Sequence, residues 1–251
     1  MTNFTPCRIC AKKKGPFPGF YFVEEGEATY VKECECHKQW FARQNLERRL
    51  SAANLWVDLD YDPDRHYRGT KSLEEVSNLK FYVKNFDKRF SSKMVYLYGA
   101  NGTQKTTLAM WVGRELIREG KTVYYSLMEN LSIALAPDFN AEDDSRAKLV
   151  ERALDADLLI LDESFDKNST TIYKSGYQIP FLSNFLKTRA EVDKKAIIII
   201  SNTLPADIAS HGFGIGLQNF IARSTRESLL QFRDIYVKEA NVIDSKALFN
   251  R

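Results

Sequence analysis

The chain has 251 residues, 44% hydrophobic and 27% charged, with a formal net charge of +3. That length suits one large domain or a domain with a small appendage, and the composition is that of a soluble globular protein. So small a charge does not announce a nucleic-acid binder. The N-terminus has no signal-peptide pattern, and no apolar run approaches the about 18 residues that span a membrane; both favour a cytoplasmic chain.

All four cysteines fall in the first 36 residues. Cys7 and Cys10 form C-x-x-C, and Cys34 and Cys36 form C-x-C, followed at once by His37. Without a secretory signal this spacing favours a metal over disulfides. Two close pairs of thiolates can close a tetrahedral zinc site. The segment between them predicts a small hairpin: FYFV, a turn at Glu25 and Gly26, then ATYV. So small a piece has little core of its own, so metal supplies much of its folding energy. Four thiolates fill the shell and leave His37 a bystander; three thiolates plus His37 is the alternative. Residues 38–53 predict a helix with Trp40, Phe41 and Leu50 on its apolar side and Arg43, Arg48 and Arg49 on its basic side. That basic side is a solvated face or a surface for DNA or a protein partner.

Residues 54–71 are acidic, aromatic and turn-rich, which reads as a linker or a lead-in to the next domain, not a folded unit. Residues 72–90 predict an amphipathic helix, with Leu73, Val76, Leu79, Tyr82, Val83 and Phe86 at helical spacing. Ser72 and Glu75 fit a capping box at its start.

The centre of the chain is SKMVYLYGANGTQKTT, residues 92–107. A strand over 94–98 runs into a Gly-rich turn and then a helix over 107–119. This is nearly the phosphate loop G-x-x-x-x-G-K-[ST], in which loop amides and a helix N-terminus cradle phosphates. Gly99, Ala100, Asn101, Gly102, Thr103, Gln104, Lys105, Thr106 and Thr107 form the candidate nucleotide-binding segment. Lys105 would reach the terminal phosphates and Thr106 would hold Mg²⁺. Gln104 stands where the pattern asks for Gly. If the backbone needs a positive φ there, its side chain adds strain; if not, it points out and spares phosphate binding.

Next come a strand over 121–127, a less regular stretch over 128–140 and a helix over 144–154. The run ADLLILDES places a buried strand at 158–161 and ends it in Asp162 and Glu163. A strand-end Asp can hold Mg²⁺, and the adjacent Glu can orient or deprotonate a water. A polar loop over 166–176 and a helix over 177–190 follow. KAIIIIS, residues 195–201, is a buried strand of the parallel kind, and it delivers Asn202 to its end, a candidate for the γ-phosphate. A short helix after Pro205, a Gly-rich bend at 212–216, a helix over 217–223 and a strand over 227–237 complete the pattern. Strand and helix alternating about five times predict a three-layer α/β fold with its ligand at the strand C-terminal ends.

Residues 93–235 resemble the AAA+ ATPase domain of bacterial and phage replicative helicase loaders and of related ATPases that assist transposition. The resemblance rests on Gly99 to Thr107 as Walker A, Leu158 to Glu163 as Walker B, and Ile197 to Asn202 as the strand leading to sensor 1. It implies a P-loop NTPase of AAA+ type with a parallel five-stranded sheet, preceded by a zinc module. The implied boundaries are 1–53, 54–71, 72–240 and a tail at 241–251. ATP, with Mg²⁺ held through Thr106 and Asp162, is the implied ligand, and Lys105, Glu163 and Asn202 the catalytic set. Arg223, in FIARS, falls where the family carries its arginine finger, with Arg226 the alternative. The resemblance further implies single-stranded DNA, a replicative helicase and a homo-oligomer, hexameric or helical, as partners. A transposition helper, or a nucleotide-binding adaptor with little or no turnover, are the other readings. Two departures stand out: Gln104 before the Walker lysine, and no sensor 2 arginine segment, since Arg233 lies within the last strand.

Overall fold

The structure is a computed structural model, and it describes residues 4–136, 144–166, 176 and 178–234. The expected loop at 166–176 lies mostly outside the described residues, and the tail at 241–251 wholly outside them. The chain divides into two compact units, Met1–Ala52 and Ala53–Arg251.

In the first unit a 3₁₀ turn at Cys10–Lys12 precedes two strands, β1 (Phe20–Glu25) and β2 (Ala28–Glu33). They pair antiparallel with Phe22 opposite Val31 and Glu25 opposite Ala28, so the expected hairpin turns through Gly26. Gly26 adopts φ 64°, a left-handed conformation that glycine takes at no steric cost. Helix α1 (Glu35–Ala52) starts before the expected residue 38, so Cys36 and His37 lie in its first turn. The buried apolar cluster here is Cys10, Tyr21 and Cys34, with Cys7, Val23 and Cys36 against it.

The second unit runs α2 (Pro63–His66), α3 (Leu73–Lys84), β3 (Met94–Gly99), α4 (Lys105–Arg118), β4 (Val123–Leu127) and α5 (Met128–Leu135). It continues through α6 (Asp144–Asp155), β5 (Leu158–Asp162), α7 (Gln178–Lys187), β6 (Ala196–Ser201), α8 (Ile215–Ser224) and β7 (Leu229–Phe232). The five strands form one parallel sheet in the order β4-β5-β6-β3-β7. Side chains alternate between its faces. Tyr96, Tyr124, Leu159, Leu161, Ile197 and Ile199 pack with Met128, Leu131, Leu182, Phe185 and Phe220 of α5, α7 and α8. Helix α4 packs against β3, β5 and β6, and α3 against α4. This makes three layers, and it explains why Ile197 to Ile200 form an unbroken apolar run: both faces of β6 are covered.

Several local expectations are corrected. Residues 54–71 are not a free linker. The Tyr125 amide donates to the Ala53 carbonyl at 2.9 Å, and Leu55 is buried. The guanidinium of Arg114, itself buried, donates to the carbonyls of Asp58 (2.5 Å), Leu59 (2.9 Å) and Tyr61 (2.7 Å). One arginine thus replaces the partners that a regular element would have supplied. Ser72 does not cap α3: its hydroxyl accepts from the Arg233 amide at 2.8 Å. Asp234 instead accepts from the Lys71 and Ser72 amides, at 2.8 Å each. The helices expected over 72–90 and 177–190 each change at their end into a π turn, Phe86–Phe90 and Thr188–Val192. At the second, Arg189 is buried and donates to the carbonyls of Ala153, Leu154, Ala156 and Ala196. Residues 128–135, expected to be irregular, are the helix α5.

Candidate functional site

The P-loop leaves β3 at Gly99, whose φ of 156° favours glycine and whose Cβ would strike the Phe232 carbonyl of the neighbouring strand. The chain enters α4 through Gln104 at φ 63° and ψ 16°, in the left-handed region. The strained alternative therefore holds at Gln104, and its Nε2 is also buried without a hydrogen-bond partner. Strand order places the ends of β3, β6 and β5 side by side. Tyr98 pairs with Ser201 across β3 and β6, and Leu161 with Ile199 across β5 and β6. Three segments remote in sequence therefore converge around a cavity of about 250 Å³ lined by Asn101–Thr106, Asp162, Glu163 and Asn202.

Lys105 is 6% exposed. Its ammonium donates to the Gly99 carbonyl (2.7 Å), the Ala100 carbonyl (2.8 Å), the Thr103 hydroxyl (3.2 Å) and Asn202 Oδ1 (3.1 Å). Burial pushes it down to about 8, against the opposing pull of the Asp162 carboxylate. Thr106 Oγ1 donates to Asp162 Oδ2 at 2.8 Å, and the Glu163 amide donates to Oδ1 at 2.7 Å. Tyr125, on β4, donates its hydroxyl to Asp162 Oδ2 at 3.0 Å. Burial first, and then the Asp162 charge, push that phenol up, so it stays a donor. Glu163 has φ 50°, and its carboxyl is pushed up by burial, then by Asp162, Asp166 and Glu129. Asn202 Nδ2 donates to Asn101 Oδ1 at 2.8 Å and to Asp166 Oδ2 at 3.3 Å.

Lys105, Thr106, Asp162, Glu163 and Asn202 are thus brought together, with Asn101, Gly102, Thr103 and Gln104 as the loop wall. Gly99 and Ala100 stand behind the wall and supply carbonyls, and Thr107 lies in the first turn of α4. Arg223 and Arg226 do not line the cavity. Arg223 is exposed near the end of α8 and pairs with Glu191 at 2.7 Å. Sequence reasoning missed Tyr125 and Asp166. Tyr125 sits in an ordinary apolar strand, and only its pairing two residues ahead of the β4–β5 end brings the hydroxyl to Asp162.

In the first unit the four sulfurs lie within 4.8 Å of one another. Cys7 to Cys10 is 3.8 Å, Cys7 to Cys34 3.7 Å and Cys10 to Cys36 3.5 Å. These are too long for disulfide bonds at about 2.05 Å. They match the roughly 3.8 Å edge of a tetrahedron with metal–sulfur bonds of about 2.3 Å. The cysteines are free and placed to chelate a metal ion. His37 is not among the clustered ligand atoms, and its Nδ1 lies 2.6 Å from Glu33 Oε1.

Comparison with known proteins decides the family. Residues 37–205 match the model of the IstB-like ATP binding protein family. The chain belongs to that family. Among solved structures, AMPPCP-bound DnaA from Aquifex aeolicus superposes with a TM-score of 0.56 at 18% identity over 71% of this chain. The chain spans about half of that structure, 51%. The DnaC helicase loader gives 0.55 at 20% identity over 70% of this chain and 98% of its own. Domain III of the Thermotoga maritima replication initiation protein DnaA gives 0.56 at 15% identity over 71% and 69%. These identities speak to the fold alone. No curated protein matches the chain significantly. The chain is thus an IstB-like ATP binding protein whose fold is shared with DnaA and with the DnaC helicase loader. No helix among the described residues is long and apolar enough to cross a membrane.

Proposed function

We propose that this protein binds and hydrolyses ATP with Mg²⁺ in order to load or remodel a replicative ring helicase on single-stranded DNA. The observation that carries the nucleotide reading is the convergence at three strand ends: Lys105 Nζ on Asn202 Oδ1 at 3.1 Å, and Thr106 Oγ1 on Asp162 Oδ2 at 2.8 Å. Hydroxyl and carboxylate oxygens are the hard donors that Mg²⁺ takes, so Thr106 and Asp162 would hold it. When bound, the ion neutralises phosphate charge at the reacting end of the nucleotide.

Lys105 exchanges its loop carbonyls for phosphate oxygens. Asn202, already hydrogen-bonded to Lys105 and Asn101, reports on the same end of the ligand. Glu163, whose carboxyl is pushed up, orients a water and takes its proton. Arg223 is exposed, as a finger offered to a neighbouring subunit would be, which makes turnover depend on a homo-oligomer. In the first unit Cys7, Cys10, Cys34 and Cys36 hold Zn²⁺ as a structural ion and so order the hairpin and α1 for a partner.

A transposition helper is the second reading, favoured by the family model itself. It shares every residue of the site and differs in its partner. Lys105→Ala is expected to weaken ATP binding by about 10- to 100-fold, the worth of a charge-assisted phosphate contact. Unchanged affinity in equilibrium binding ends the nucleotide reading. Pull-down with a non-hydrolysable ATP analogue separates the partners, since recovery of a transposase in place of a helicase transfers the proposal to the second reading.

A further inference from the structure

Asp162 is held by three donors, and they are not equivalent. Thr106 and Tyr125 both donate to Oδ2, at 2.8 and 3.0 Å, while the Glu163 amide holds Oδ1 at 2.7 Å. On the reading above, Thr106 would also hold the metal ion through its hydroxyl oxygen, so its bond to Oδ2 is shared with that task. Tyr125 has no such second task. It is 4% exposed, and its backbone is fastened on both sides. Its amide donates to Ala53 O at 2.9 Å, its carbonyl accepts from Asn54 Nδ2 at 3.3 Å, and β4 pairs it with Ile160. Its ring meets the ring of Trp56 edge-on, with centroids 4.7 Å apart and planes at 81°. The hydroxyl therefore sits on a scaffold that does not depend on the P-loop.

We infer that Tyr125 is the positioning residue of the site: its hydroxyl fixes the rotation of the Asp162 carboxylate, so that the carboxylate meets Mg²⁺ already oriented. The inference rests on the nucleotide reading of the same cavity. Outer-shell donors of this kind hold a ligand in one orientation and so set metal affinity. The segment Ala53–Trp56, which the sequence presents as a linker, then has a part in the site through the ring it supports.

The test is Tyr125→Phe in the full chain, with ADP affinity measured across a Mg²⁺ titration and again in excess EDTA. The Mg²⁺ concentration for half-maximal tightening is expected to rise about 10-fold, with metal-free ADP affinity unchanged. In turnover assays at fixed Mg²⁺, kcat falls and KM measured at saturating metal does not. An unchanged Mg²⁺ midpoint overturns the inference. So does an equal loss of metal-free ADP binding, which assigns the hydroxyl to the fold. If wild-type protein binds no ADP with or without Mg²⁺, the nucleotide reading itself is wrong and this inference goes with it.

Discussion

The two units answer the same problem, how to hold a cluster of polar side chains in place, in opposite ways. Residues 53–234 bury five strands between helices, and that core positions Lys105, Asp162 and Asn202. Residues 4–52 bury Cys10, Tyr21 and Cys34 as a small apolar cluster and Leu50 besides, and Ile9, Phe17, Phe22, Val31 and Phe41 stay exposed. There the would-be ligands are themselves part of the core. A unit with its own core can keep an open site, and a unit without one has to close its site around an ion.

On the zinc reading proposed above, the sharpest way to break the comparison is to remove that ion. A strong chelator, or Cys34→Ser, is expected to abolish the ordered hairpin and α1 while the 53–234 unit melts as before. Amide hydrogen exchange resolves the two, and protection that survives in residues 20–33 without metal would refute the structural role of the cysteines. The converse lesion is Leu159→Ala, at a side chain wholly buried between sheet and helices. It should destabilise the second unit by about 2–5 kcal/mol in denaturant melts and leave metal content unchanged.

These two regions were also unequally legible. The cysteine pairs, the P-loop, LLILDE and KAIIIIS carry their meaning in spacing and apolar runs, so the sheet and most of the residues that line the cavity were legible in the sequence. What escaped it were side chains acting on groups remote in the sequence. Arg114 and Arg189, which nothing in their sequence surroundings sets apart, are buried because each satisfies carbonyls more than 30 residues away or across a turn. Ser72 is taken by Arg233 and lost to its own helix. Tyr125 reaches Asp162 only because β4 and β5 are paired. None of these contacts leaves a periodic trace.

Acid and alkali should discriminate the sites with opposite sign. In the first unit metal binding needs thiolates, so affinity falls as pH falls. Cys7, held down to about 6 by the Cys10 and Ile9 amides, is the last to protonate, whereas burial pushes Cys10 up. In the second unit the free Lys105 titrates near 8, and phosphate raises it, so binding takes up a proton. Metal-free ADP affinity is therefore flat below about pH 8 and falls by up to tenfold per pH unit above it. Calorimetry from pH 7 to 9.5 reads this directly, and a flat profile would mean that Lys105 does not meet the phosphates.

The smallest expected effect concerns Gln104. The second unit tolerates a left-handed φ of 63° there because the ends of β3 and α4 are fixed by the sheet and its helices, not by the loop itself. Gln104→Gly relieves a left-handed cost of about 1–2 kcal/mol, offset by about 0.5–1 kcal/mol from the freer unfolded chain. It also deletes a buried amide with no partner. The variant should then gain about 0.5–1 kcal/mol in denaturant melts, with ADP affinity equal or tighter. A loss of stability would show that the Gln side chain contributes more than its strain, and that the position is adapted to glutamine; a gain with faster turnover would show that strain at this residue slows hydrolysis in a site otherwise complete.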